Sequence, residues 1–510
     1  MIEAEVHLSL HNFLRSQTGF PAWHHHLTMA RLVARALRVG RSALIQVGAV
    51  CGYQGRYRTS FVASALMWRS GVVIVAPEAI QQRLLKIEIP RLQQWLQVNK
   101  PIRTGDAWVG DGFEGILLTS PEAWLKAQFA GSNAFPPDIP TIIDGVDDLE
   151  DWVRKSLTIT LAPQDWEELI LASPENAEII RNARIDLASK ILQHPTNPYE
   201  CYLISDKESE ILQRLYSVLN ITSLPDNWKN FYSLFQHISP SPPLLWTTIN
   251  HVHGSFSLHC APVELGTYLA PIWTRQPVVL IGSAIEPETE APLFRDRIGL
   301  GDVTCLKFAA DNQTEAIQLY VPYNVPLPNT PEFQAAFIHQ VRTLVCLSAT
   351  APGLTVILVG DVPLKAQIGT ILASEFGSRV QVEKTCLDEN GILVTGWEFW
   401  REHHSVLPSP QLMVIATLPL PSLENPLVAG RVAHYKRSHQ DWFRLYLLPT
   451  AVNELQRAIA PARESQAVVA LLDSRVVNRS YGAQILTALS PLARINYLDP
   501  NLFNASEDNS

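Results

Sequence analysis

Six cysteines (Cys51, Cys201, Cys260, Cys305, Cys346 and Cys386) are spread over 510 residues with no close pair. That spacing supplies neither a disulfide framework, nor a zinc knuckle, nor the four thiolates of an iron–sulfur cluster. Six reduced, mostly buried thiols are expected instead. No apolar run approaches the roughly 18 residues that a membrane helix needs, so no membrane contact is expected. The N-terminus, MIEAEVHLSLHNF, carries acids and lacks the apolar core of a signal peptide, which makes a cytoplasmic location the default. Asp and Glu are missing from Val6 to Pro77, where Arg15, Arg31, Arg35, Arg38, Arg41, Arg56, Arg58 and Arg69 all fall. Such a block suits a local surface for the phosphates of a nucleotide or of DNA. It suits equally a solvated cationic helix face, since the chain as a whole has a net charge of −9 and does not read as a general nucleic-acid binder.

At 510 residues the chain is too long for a single core, and two or three domains are expected. Its organising stretch is residues 43–68, ALIQVGAVCGYQGRYRTSFVASALMW. This reads as a buried strand (Ala43–Ala49), a glycine-bearing turn, and an apolar helix from about Thr59. A phosphate-binding loop needs that layout, because backbone N–H groups and a helix N-terminus must face an anion. The template G-x-x-x-x-G-K-[ST] lies on Gly52 to Thr59 (GYQGRYRT) with the right length and two departures. Tyr57 replaces the second glycine and Arg58 replaces the lysine; Gly52, Gly55, Arg58 and Thr59 are the candidate nucleotide contacts.

Before the loop, residues 28–40 predict a helix capped at Thr28 and ended by Gly40, with Arg31, Arg35 and Arg38 opposite an apolar stripe. Trp23-His24-His25-His26 precedes it; adjacent side chains diverge, so one buried ring in the first turn is expected rather than a metal site. After the loop come strands at Gly71–Ala76, Gly115–Thr119 and Pro140–Asp144, a βαβ series that predicts a parallel sheet with ligands at the strands' carboxyl ends. Asp144 stands at such an end and is the candidate metal-organising carboxylate. From Val153 to Ile238 four amphipathic helical segments alternate with prolines, and Ser239-Pro-Ser-Pro-Pro243 marks the exit. An all-helical insertion is expected there. The sheet is then expected to resume with Leu244–Thr247, Ser255–Ala261 and Pro277–Gly282. Val321–Pro331 reads as a linker to a second α/β region with strands at Leu354–Val359, Val380–Thr385, Gly391–Thr395, Met413–Thr417 and Ala467–Leu472. The expected domains are 1–152 with 244–310, the insertion 153–243, and 311–503, followed by a disordered tail over 504–510.

In this order the segments resemble the DinG family of superfamily 2 DNA helicases, bacterial relatives of XPD. Gly396-Trp-Glu-Phe-Trp400 resembles its G-x-x-S-F-W-E-G motif, and residues 418–426 (LPLPSLENP) its L-P-F-x-x-P-x-x-P segment. Gly282-Ser-Ala-Ile285 resembles S-A-T-L, and residues 294–300 (FRDRIGL) resemble F-x-x-R-x-G-L. Residues 446–452 (YLLPTAV) and 468–475 (VVALLDSR), with Tyr481-Gly482, match the family's last helix and strand. The resemblance spans roughly residues 20 to 490. It implies an α/β fold of two RecA-like P-loop domains with parallel sheets, an arch-like helical insertion in the first, ATP and Mg2+ as cofactors, and movement along single-stranded DNA.

Residue by residue, the implied machinery is damaged. Arg58 keeps the lysine's charge but not its shape, and Tyr57 puts a side chain where glycine lets backbone approach phosphate. The D-E-A-H box falls on Asp144-Gly145-Val146-Asp147, so the water-orienting glutamate is Gly145. The arginine-finger motif Q-G-x-G-R-x-I-R falls on residues 457–464 (RAIAPARE), turning its arginines into Pro461 and Glu464; a one-residue shift puts Arg463 near one finger. The acid of F-W-E-G-V-D is lost in Arg401-Glu402-His403-His404, the adenine-reading R-x-x-Q becomes Trp23 and His26, and no iron–sulfur insert lies between Gln81 and Asp144. A finger or water-positioning residue is worth about 10³ to 10⁵ in rate. The preferred reading is therefore a helicase-fold protein that binds single-stranded DNA, another nucleic acid or a protein partner, with weakened or absent ATPase and Asp144 and Arg463 as catalytic remnants. The alternatives are an active helicase or translocase, in which Arg58 acts as the lysine and Asp144 holds magnesium with Asp147 or Asp148, and a scaffold without nucleic acid. Trp397, Phe399 and Trp400 read as core aromatics before stacking faces; His251, His253, His403 and His404 read as strand and loop histidines before metal ligands.

Overall fold

The computed structural model describes residues 2–16, 23–236, 241–310, 315–349 and 352–503. Domain 1 begins with β1 (Ala43–Gln46), β2 (Val72–Val75), β3 (Ile102–Thr104), β4 (Ile116–Thr119) and β5 (Thr141–Asp144). An insertion then contributes β6 (Ile159–Leu161), β7 (Cys201–Leu203), β8 (Leu244–Asn250) and β9 (Ser255–Ala261). β10 (Val278–Gly282) and β11 (Thr304–Lys307) complete the domain 1 sheet in the order β11-β1-β10-β5-β2-β4-β3, every neighbour parallel. β1, β2, β4, β5 and β10 are buried along their whole length. That is what helices on both faces of a parallel sheet demand, and why these strands read as unbroken apolar runs. One face packs under Phe13, Met29, Phe61 and Leu92, the other under Trp124, Val153, Leu269 and Phe294.

Domain 2 repeats the plan. β12 (Ile317–Tyr320), β13 (Leu354–Leu358), β14 (Val380–Val382), β15 (Ile392–Thr395), β16 (Pro410–Ile415), β17 (Val468–Leu471) and β18 (Leu492–Ile495) form a parallel sheet in the order β14-β15-β13-β16-β17-β12-β18. The architecture is two RecA-like α/β domains, as the sequence led us to expect. β3, β11, β12 and β18 were not anticipated. β3, β11 and β18 are short and partly exposed, so they carry no apolar run; β12 sits just before the Pro-rich stretch. Residues 321–331 therefore follow the first strand of domain 2 rather than leading to it. The helix Ile2–Ser16, also unanticipated, buries Val6, Leu10 and Phe13 against domain 1.

The insertion corrects the all-helical expectation. Its helices (Pro163–Ala172, Ala177–Ile191, Asp206–Val218 and Asp226–Phe235) cover one face of a four-stranded antiparallel sheet, β6-β9-β8-β7. β8 and β9, expected in the RecA-like sheet, belong to the insertion. The physical reason is visible in their alternating burial, which marks a sheet with one packed face, against the continuous burial of β10. The sheet's other face rests on the domain 2 helix Pro426–Arg437: a Cβ at Gly430 would meet Leu244 at 2.3 Å. His434 links the same elements through Ser241 Oγ (2.9 Å) and Glu264 (3.1 Å). Cysteine burial is mixed: Cys51, Cys201 and Cys260 are buried, while Cys346 and Cys386 are exposed. The expected tail over 504–510, and residues 239 and 240 of the expected exit, lie outside the described residues.

At the centre of the insertion core Trp228, fully buried, meets Trp166 edge-on at 4.9 Å and donates its Nε1–H to the Asp165 carbonyl at 2.9 Å. Trp228→Ala should destabilise the insertion by about 3–5 kcal/mol, read as an earlier urea midpoint by circular dichroism.

Candidate nucleotide cleft

The stretch after β1 is helical where an open loop was expected. Gly48 takes a left-handed φ of 87° and Ala49–Gln54 form a short helix closed by Gly55 at φ 67°. The helix Arg58–Met67 follows. Its N-terminus would be the anion seat, but the Arg58 N–H donates to Gly55 O (3.1 Å) and the Ser60 N–H to Tyr57 O (2.9 Å). Amides that a phosphate would use are satisfied within the loop.

The side chains complete this closure. Tyr57 is 3% exposed, Arg58 7%, and Asp144 1%. The Tyr57 hydroxyl donates to Asp144 Oδ1, and Arg58 Nε donates to Oδ2 at 2.9 Å. The guanidinium folds back beneath Gly55, where a Cβ would lie 2.0 Å from it, and sits 5.4 Å from the Tyr57 ring centre. Burial, then the Asp144 charge, pushes the Tyr57 phenol far above its ordinary range and keeps it a donor. Burial opposes the Arg58 charge, but the Asp144 carboxylate on its Nε outweighs burial and raises it. Gly52 serves packing rather than phosphate: a Cβ there would meet Ser283 Cβ at 2.2 Å. Thr59 is buried. As folded, the Asp144 carboxylate is committed to Tyr57 and Arg58 and does not fit a divalent ion.

Gly145 has a φ of 88°. A glutamate there, the residue that the resemblance would place at this position, would be strained. Asp147 accepts from Ser283 N–H (2.7 Å), Ser283 Oγ (2.9 Å) and Ala284 N–H (2.8 Å), tying β5 to the segment after β10. Asp148 faces domain 2, where Arg457 forks onto it at 2.6 and 3.2 Å. Arg56 reaches Glu464 at 2.7 Å, and Arg297, held by Glu150 at 2.8 Å, donates to the Leu445 carbonyl at 3.3 Å. Domain 1 and domain 2 are thus joined by the chain's own charges across the cleft. Cavities of about 600 and 660 Å³ are both lined by Arg56 and Glu464.

Neither finger position reaches Asp144 in the contacts seen. Arg463 is 4% exposed and donates to the carbonyls of Glu315 (2.7 Å), Pro491 (2.9 Å) and Leu489, which makes it a tie within domain 2. Pro461 is buried and Glu464 holds Arg56. His26 is a buried first-turn ring hydrogen-bonded to Ser60 at 2.9 Å and pulled down to about 4 by burial, then by Arg56 and His25. The helix it opens, His26–Val39, starts two residues before the expected Thr28 cap and ends at Gly40 as expected. His251 and His253 lie in the exposed β8–β9 turn. His404 packs on Tyr53 at 5.1 Å, and Trp400 is buried with Nε1–H on the Ala458 carbonyl at 2.9 Å. Among the described residues no group of three or more His, Cys, Asp or Glu is placed to hold a metal ion. The Tyr57–Asp144 bond and the cross-cleft pairs were missed from the sequence. The partners lie 87 to 408 residues apart, and only an Arg in the lysine position hinted at any of them.

Residues 409–492 match the helicase C-terminal domain family. The ATP-dependent DNA helicase YoaA of Escherichia coli K12 is 21% identical over 253 residues, which are 47% of this chain and 40% of that protein. The matched part thus spans less than half of the curated relative. In fold, the chain is similar to S. tokodaii Xpd4 (TM-score 0.56, 14% identity, covering 93% of this chain and 100% of that one). A second XPD helicase structure gives a TM-score of 0.59 at 12% identity, with 93% and 100% covered.

Two outcomes check the cleft. Asp144→Asn should lower stability by about 3–5 kcal/mol, because it strands a buried guanidinium, and a denaturant midpoint would show it. Reversing one partner of the cross-cleft pair, as Arg457→Asp, should loosen the domains in small-angle scattering; adding Asp148→Arg should restore compactness.

Proposed function

We propose that this chain, which belongs to the DinG/XPD-like superfamily 2 helicases, holds single-stranded nucleic acid as a nucleotide-independent clamp and has given up ATP-driven movement. The observation that carries this reading is the capture of Asp144 by Tyr57 and Arg58. Phosphoryl transfer in such folds works by positioning and charge neutralisation. A carboxylate whose oxygens are bonded to a phenol and a guanidinium does neither for magnesium. The arginine in the lysine position is spent on the same carboxylate, and Gly145 supplies no base. Where a motor's domains close on ATP, Arg457–Asp148 and Arg56–Glu464 hold the two domains in register here.

Support for nucleic acid comes from domain 2. The segment Arg431 to Arg444 brings Arg431, Lys436, Arg437 and Arg444 beside Tyr435, Trp442 and Tyr446, with Asp441 its one acid. Lys436 Nζ stands 5.3 Å over the Trp442 ring, and Tyr435 stacks on Tyr446 at 6.1 Å. Cations interleaved with aromatic faces suit a strand whose bases stack while its phosphates are neutralised. Close by, Glu150 pairs with both Arg154 (3.7 Å) and Arg297 (2.8 Å) and also feels the charge of Arg431, so three guanidiniums gather around this one carboxylate.

ATP turnover with and without oligo(dT), paired with oligo(dT) affinity at several salt concentrations, tests the reading. Expected are no DNA-stimulated turnover, affinity that falls with salt, and no effect of magnesium-ATP on affinity. Lys436→Glu with Arg444→Glu should weaken binding by about tenfold or more. DNA-stimulated turnover that Arg58→Ala abolishes would instead make the chain a working motor.

A further inference from the structure

The arginine block of the N-terminal region is only partly absorbed by the cleft. Arg56 and Arg58 are paired there, and Arg38 is taken by Glu3 at 2.6 Å. Arg31, Arg35 and Arg41 remain exposed, and among the described residues none has a carboxylate partner. In a chain of net charge −9 this local surplus stands out electrostatically.

Two of these guanidiniums border a groove of about 340 Å³ between the helix His26–Val39 and the outer edge of the domain 1 sheet. Arg35 comes from the helix, and Arg41 from the turn that follows Gly40. The floor is aliphatic: Leu32, Val39, Ile45 and Leu306. Val39 is 43% exposed, an apolar side chain left uncovered at the rim. β11 forms the far wall through Thr304 and Leu306 and, among the described residues, pairs with β1 alone, which leaves it at the edge of the sheet. Among the described residues no acid lines the groove.

We infer that this groove is a docking site for an acidic peptide segment of a partner protein, seating one apolar side chain between Leu32 and Leu306 and its carboxylates on Arg35 and Arg41. Charge complementarity selects the sign of the partner. The aliphatic floor selects its kind: a nucleic-acid strand would look for aromatic faces on which to stack, and the groove has none. The open edge of β11 offers main-chain groups along which an extended segment can lie, the mode in which backbone bonds give affinity and side-chain pockets give specificity. The site lies apart from the Asp144 cleft and the Arg431–Arg444 segment, so it stands or falls independently of the clamp reading.

Fluorescence anisotropy on the full chain tests it, using a labelled peptide of about ten residues rich in Asp and Glu with one central Leu. Binding should weaken with salt and fall at least about tenfold in the Arg35→Glu/Arg41→Glu variant. Replacing the peptide's Leu by Ser should weaken it as well. Thr304→Trp, which fills the groove and leaves both arginines in place, should also block the peptide. No binding, or binding that neither variant disturbs, would overturn the inference. So would oligo(dT) affinity that drops in the double variant while peptide affinity does not, since that outcome makes the face a nucleic-acid surface.

Discussion

A buried carboxylate must find donors, and in this protein Asp144 finds them inside the chain. Removing a carboxylate from water without compensation is too costly for a fold of ordinary stability. A motor leaves that cost to be met by a metal ion and its nucleotide. Here Tyr57 and Arg58 meet it, and much else follows from their placement. The loop need not stay open for phosphate, so residues 49–54 are free to be helical. Gly55 is required so that the guanidinium can fold underneath, and Gly145 takes a left-handed backbone that a catalytic glutamate would resist.

The same logic extends across the cleft. Where a nucleotide would lie between two RecA-like domains, opposite charges of the chain face each other: Arg457 with Asp148, and Arg56 with Glu464. Each pair is partly exposed and individually modest. Their role is geometric, holding two domains in register without a ligand that comes and goes. The insertion reinforces this arrangement, for it is rooted in domain 1 and rests on the domain 2 helix that carries Gly430 and His434. Contacts of this kind hold the two domains together through the chain alone.

The sequence by itself determined the two parallel sheets. Continuous apolar runs such as Val72–Val75 and Leu354–Leu358 are buried on both sides by necessity, and their spacing admits little but βαβ winding. It also placed Gly145, Pro461 and Glu464 where the resemblance would put a glutamate and two arginines, and no folding can turn one residue type into another. The tertiary structure decided what remained. Strands of low apolar content, β3, β11 and β18, exist because a neighbouring strand offers hydrogen bonds, which no local pattern records. β8 and β9 joined the insertion because their alternating faces needed a one-sided sheet. The partners of Tyr57, Arg58, Arg56 and Arg457 lie far along the chain, and only folding brings such charges together. Local chemistry announces which residues are present; long-range contact alone assigns what each of them holds.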